Sequence, residues 1–253
     1  MPFQLTTHGS VTLVTLDAPP ANALDHAFLR ELLALLPQLA AARAVVLTGN
    51  GRFFSAGLDL TKVFTYPEPE ARAFATTFDD VMLGLFALDT PVVAAINGHA
   101  VAGGCVLAAC CDWRIVSDAD LWIGLTEIQV GVPFPTSALE IVRASAASPR
   151  LYEVFQRGLK YRAADALACR LVDEIVPHDQ VLTRALATAE EFASRPRVAF
   201  ATTKRAMRKE ALDRSASARA ADGFDPIWLS WRSPEVIAAM IAFRDRALGK
   251  KSA

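Results

Sequence analysis

No run of apolar residues in this chain is long and unbroken enough to span a membrane. Cysteine is scarce as well. The four present, Cys105, Cys110, Cys111 and Cys169, make no CxxC pair and no metal-like spacing with the four histidines, so neither a disulfide framework nor a metal site is expected. An excess of either charge is missing: 26 Lys plus Arg stand against 27 Asp plus Glu, a net charge of -1. With no basic–aromatic stripe either, a nucleic-acid partner is not expected. The opening residues MPFQLTTHGSVTLVTLD carry no basic region followed by an apolar stretch, so they read as a strand, not a secretory signal. Three of the cysteines, Cys105, Cys110 and Cys111, are expected in one apolar helix, where a reduced thiol behaves as a small hydrophobe and fits a reducing cytoplasm.

Apolar residues are plentiful, at 53% of the chain, enough to fill the core of one large domain. Short β-branched runs over residues 11–17, 44–51, 91–98, 113–117 and 171–177 each end in a turn signal. Helical spacing appears between them, over 25–36 after a capping Asp25. It appears again where Phe74, Phe78, Val81, Met82 and Leu85 share one face. Strands alternating with helices predict an α/β fold. After Pro177 the pattern is helical, over 179–194, 196–212 and 234–248, with an irregular connection carrying two tryptophans before the last. A boundary near Arg195–Pro196 separates an α/β body, 1–195, from a helical region, 196–253. Within that region the run KRAMRK, Lys204 to Lys209, reads as a solvated helix face.

Three stretches hold candidate chemistry. In INGHAVAGGCVLAACC, residues 96–111, Gly98 and Gly103 have Walker A spacing, but Gly104 and Cys105 stand where Lys and Ser/Thr would be. What remains is a helix start whose free N–H groups suit a developing oxyanion, or a pair of glycines that merely allow close packing. In GRFFSAGLDL, residues 51–60, Ser55-Ala56-Gly57 lets a ligand approach the backbone and Asp59 can cap the next turn; a plain surface turn is the alternative. Two such donor loops can converge on one carbonyl oxygen. In LWIGLTEIQVGVPFP, residues 121–135, Glu127 is the only ionisable side chain. Apolar neighbours would raise its pKa and suit it to proton transfer near pH 7; the alternative is an exposed loop glutamate.

FFSAGLDL, PVVAAINGHAVAGGCVLAACCDWRIVS and IGLTEIQVGVPFP, in this order and spacing, resemble the crotonase superfamily of enoyl-CoA hydratases and isomerases. The likeness runs from APPANALD at 18–25 to DALACRLVDEIVPHDQV at 165–181 and on into the helical tail. It implies a crotonase-like spiral of ββα units, a C-terminal helical trimerisation region, and assembly as a homotrimer or a dimer of trimers. It implies an acyl-CoA thioester as substrate, with coenzyme A part of that substrate and no separate cofactor or metal. Carried onto this sequence, the oxyanion hole falls on the N–H groups of Ala56 and Gly103. Substrate contacts fall on Ala56, Gly57, Leu58, Asp59, Leu60 and Gly103, with Lys62 near a CoA phosphate.

The hydratases of that family use two glutamates. The first falls here on Val106, the second on Glu127. A single carboxylate suffices for a 1,3-proton shift, so the sequence is most similar to the Δ3,Δ2-enoyl-CoA isomerases of fatty acid oxidation. Each oxyanion donor would lower the barrier by roughly 3 kcal/mol. Hydration, thioester hydrolysis and decarboxylation stay open on the same scaffold, as does a non-catalytic acyl-CoA- or RNA-binding relative.

Overall fold

A computed structural model of the chain describes residues 2–220 and 222–247. The N-terminal segment is not one strand but two: β1 (Phe3–His8) and β2 (Val11–Leu16) pair as an antiparallel hairpin. Helix α1 (His26–Ala41) starts where Asp25 accepts the Phe28 N–H at 2.8 Å and continues through Pro37, five residues past the predicted end at 36.

A unit then recurs three times: a strand in a large sheet, a short strand in a second sheet, and a helix. The first unit is β3 (Ala44–Gly49), β4 (Phe53–Ser55), α2 (Leu60–Val63) and α3 (Glu68–Phe86). The second is β5 (Val92–Ile96), β6 (His99–Val101) and α4 (Gly103–Ala109), and the third is β7 (Trp113–Ser117), β8 (Ile123–Gly124) and α5 (Glu127–Val130). Helices α6 (Thr136–Ala146), α7 (Leu151–Arg157) and α8 (Ala163–Ala168) lead to β9 (Glu174–Val176) and α9 (Val181–Ser194). After Pro196 come α10 (Arg197–Ala218), a 3₁₀ segment (Pro226–Arg232) and α11 (Pro234–Ala247). This is the spiral of ββα units expected from the sequence.

The large sheet runs β1-β2-β3-β5-β7-β9, parallel beyond the hairpin; the small one runs β4-β6-β8, all parallel. Period-2 alternation divides the large sheet between two cores. Val45, Leu47, Val92 and Ala94 face the main core beneath α1 and α3, whereas Val46, Val93 and Ile115 face Val181, Ala185 and Ala189 of α9. Strands buried on both faces read as continuous apolar runs, as 44–47 and 92–96 do. The C-terminal region shares the main core through Ala211, Phe224, Trp228, Trp231 and Met240. α11 lies against α5 and the 3₁₀ segment of its own chain, with Ile237 and Ile241 still 40% and 41% exposed. None of the helices among the described residues is long and apolar enough to cross a membrane.

Two expectations need correction. Helix α4 ends at Ala109, so Cys110 and Cys111 lie at its C-cap and beyond, not within it; all four thiols are buried. The run Lys204–Lys209 is not a uniformly solvated face. Arg205, Met207 and Lys209 are exposed, but Lys204 and Arg208 turn inward. Lys204 Nζ donates to Asp112 Oδ2 at 2.7 Å and to the Thr90 carbonyl at 2.9 Å; Arg208 pairs with Asp112 Oδ1 at 2.8 Å. One part-buried carboxylate therefore holds two buried cations of α10 against the turn after α4.

Removing that carboxylate leaves two buried charges uncompensated. Asp112→Asn is expected to lower stability by about 3–5 kcal/mol in urea unfolding. Arg205→Ala, which breaks an exposed pair with Asp89, should cost under about 1 kcal/mol. Equal losses in the two variants would mean that α10 is not anchored through Asp112.

Candidate active site

The three repeats place three loops side by side at the carboxyl end of the small sheet. Residues 56–58 follow β4, Ala102 and Gly103 follow β6, and residues 125–127 follow β8. The first two loops approach closely. Gly57 has φ of +83°, and a Cβ there would lie 2.8 Å from the Val101 carbonyl oxygen and 2.9 Å from the Gly103 nitrogen. A Cβ on Gly104 would overlap the Ser55 carbonyl. The paired glycines thus serve packing and exposure together: they let two strand ends close up, and the α4 N-terminus is left facing the gap.

The segment 18–25 clamps the first loop. Buried Asn22 donates from Nδ2 to the carbonyls of Phe53 and Phe54 at 3.0 and 3.1 Å, and its own carbonyl accepts the Ser55 hydroxyl at 2.7 Å. Leu24 N–H donates to Gly57 O at 2.8 Å, and Asp59 N–H to Leu24 O at 3.1 Å. These bonds decide which amides are free. Ala56 N–H donates to Ala21 O at 3.0 Å, so the oxyanion donor expected there is already committed. The next free amide is that of Leu58, which has no acceptor among the described residues, and neither has Gly103 N–H at the start of α4. Leu58 and Gly103 are neighbours: a Cβ on Gly103 would lie 3.6 Å from Leu58 Cδ2.

Glu127 opens α5 from within the core. It is 7% exposed, and its Oε2 is buried with no hydrogen-bond partner. Burial pushes its carboxyl up to about 8; the backbone N–H groups of Glu127 and Thr126 oppose the shift without offsetting it. The Cys105 thiol nearby is pushed up to about 12 by its burial and by the Glu127 charge, so it stays neutral.

Ala56, Leu58, Leu60, Gly103 and Glu127 all line one cavity of about 210 Å³. Its remaining walls are mostly apolar and include Phe78, Val132, Pro135, Ala138, Trp228 and Phe243. Glu127 is the one carboxylic acid among the described residues lining it. Val106 is fully buried in α4, without contributing to the wall. Asp59 and Lys62 lie outside this cavity. Asp59 caps α2 by accepting Thr61 N–H at 3.0 Å. Lys62 is bound to Asp25 at 2.5 Å, with Asp59 at 3.7 Å, beside a separate surface cleft. Among the described residues no group of His, Cys, Asp and Glu is arranged to hold a metal ion.

Residues 6–223 match the enoyl-CoA hydratase/isomerase family. This chain belongs to that family. It is 33% identical over 217 residues to the human mitochondrial enoyl-CoA delta isomerase 1, covering 84% of this chain and 72% of that one. It is 36% identical over 198 residues to a probable enoyl-CoA hydratase of Mycobacterium avium (strain 104), covering 77% and 76%. The crystal structure of human mitochondrial Δ3-Δ2-enoyl-CoA isomerase superposes with a TM-score of 0.93 at 28% identity, over 100% of both chains.

As a hydratase/isomerase family member the protein is an enzyme, and its site draws on more of the chain than the three quoted motifs. Trp228, Trp231 and Phe243 of the helical tail close the cavity, and Lys160 reaches it from the loop after α7. The tail's indoles sit in a stretch with no regular periodicity; their only signal was the presence of two large aromatics in an irregular connection.

The Glu127 carboxyl also sets a pH dependence of stability. Its value is 4.5 when unfolded and about 8 when folded, so the folded protein holds a proton that the unfolded chain has released. This stability is fully present below 4.5 and is lost as pH rises through 8. Glu127→Gln should therefore gain in melting temperature relative to wild type between pH 5 and pH 8.5. A difference that stays constant over this range would mean the carboxyl is not buried as described.

Proposed function

We propose that this enzyme converts 3-enoyl-CoA to 2-trans-enoyl-CoA by a 1,3-proton shift in fatty acid oxidation, with Glu127 carrying the proton. The reading rests on one observation: a single unpartnered carboxylic acid lies in an apolar cavity beside two free backbone donors. The thioester oxygen accepts from Leu58 and Gly103 N–H. Glu127, as carboxylate, takes a proton from C2. Negative charge moves onto the thioester oxygen as a dienolate, where the fixed donors and the positive end of α4 stabilise it. The protonated Glu127 then delivers its proton to C4, the double bond moves to C2–C3, and the carboxylate is regenerated. Desolvation makes Glu127 a stronger base than an exposed glutamate, while its proton still leaves near neutral pH.

Hydration is the second reading, favoured by the likeness to a probable hydratase. Adding water needs proton movement at two centres and normally recruits two acids, whereas fully buried Val106 stands where the resemblance would place the other. The same reading has the protein acting as a trimer or dimer of trimers, an assembly that would cover exposed Leu229, Ile237 and Ile241.

The test is to give purified enzyme a 3-enoyl-CoA and a 2-enoyl-CoA in parallel and identify the products. Conjugated 2-enoyl-CoA from the first, with little 3-hydroxyacyl-CoA from the second, is expected. For wild type, kcat/KM should rise with pH up to about 8 as the carboxylate forms. Glu127→Gln should lose about 10²–10⁴ in rate, and its residual activity should lack that limb. Saturated acyl-CoA should still bind, because the donors are backbone groups. A variant retaining more than about a tenth of the wild-type rate places the base elsewhere.

A further inference from the structure

The cavity that holds Glu127 abuts a second one. This neighbour, about 240 Å³, lies between the start of α3 and α11 and is walled by Phe64, Phe74, Phe224, Ile237 and Met240. Two residues line both cavities, Trp228 and Trp231. Their indoles are buried, 5% and 7% exposed, with ring centroids 4.7 Å apart and planes inclined at 44°.

Both rings are pinned. Trp228 Nε1–H donates to Asp79 Oδ2 at 3.2 Å, and the other oxygen of Asp79 accepts the Ser137 hydroxyl at 2.5 Å. Trp231 Nε1–H donates to the Pro133 carbonyl at 3.1 Å. Phe78 and Phe74 meet the Trp228 ring edge-on at 5.5 and 6.2 Å. A buried indole that satisfies its N–H and packs against other rings has one position. The space on either side is mostly apolar, with Glu68, Arg72 and Arg232 also lining the second cavity, so methylenes would gain by entering either one. What separates the two is steric.

We propose that the Trp228–Trp231 pair is a fixed end wall that limits the length of acyl chain the site accepts, and that the second cavity is the space longer chains would occupy without it. The inference rests on the acyl-CoA reading above, and it makes these two residues specificity determinants with no part in proton transfer. An acyl chain growing from the thioester toward the second cavity meets the indoles. Each methylene placed before them gains about fourfold in affinity, and those beyond gain nothing.

The experiment is calorimetric binding of saturated acyl-CoAs from butanoyl to hexadecanoyl, which do not react whatever the chemistry of the site. Wild-type affinity should climb with chain length and then stop climbing. Trp231→Ala should move that break to longer chains. It should bind hexadecanoyl-CoA at least about tenfold more tightly than wild type does, with butanoyl-CoA unchanged. Trp231→Leu, which fills more of the space, should move the break less and serves if the alanine variant does not fold. A wild-type affinity that climbs without a break overturns the inference, as does a folded variant with the wild-type break. Absence of butanoyl-CoA binding overturns it together with the proposed function, whereas binding without a break overturns it alone.

Discussion

Where β4 and β6 run side by side, their ends come as close as backbone atoms allow, and the site is built on that approach. Gly57 and Gly104 are the residues that permit it, because a side chain on either would strike the neighbouring strand's carbonyl. Parallel pairing brings the loops to the same edge of the small sheet, and the third strand, β8, adds the Glu127 loop beside them. Glu127 and the two free amides are therefore fixed relative to one another by strand pairing, not by contacts among themselves. This matches the general behaviour of parallel α/β sheets, whose sites gather beyond the carboxyl ends of the strands.

The donors depend on a further constraint outside the small sheet. Segment 18–25 lies along the β4 loop and takes up the amide of Ala56 while leaving that of Leu58 unpaired. Asn22, held at positive φ and 2% exposed, supplies side-chain bonds that lock the register. A shift of the clamp by one residue would exchange committed and free amides. Which amide is left free is thus decided by a segment that does not line the cavity.

Much of this was legible in the sequence, for local reasons. Strands 44–49 and 92–96 are apolar on both faces and end in turns, so their type and place were readable. Glu127 stood out as a lone acid among apolar neighbours, and its burial follows from them. What was not legible depended on distant partners. Ala56 and Leu58 cannot be told apart until segment 18–25 is known to lie against them. Lys204 and Arg208 look solvated in a basic run, and only Asp112, 92 residues away from Lys204, draws them inward. The strands of the small sheet, two or three residues long, carry too few side chains to show an alternation.

The walls of the reaction cavity come from opposite ends of the chain's time on the ribosome. Glu127 and both of the other loops are translated first. Trp228, Trp231 and Phe243 come about a hundred residues later, and until they are made the cavity lacks the wall they form. A chain that stopped after residue 220 would carry Glu127 and both free amides and still lack that wall.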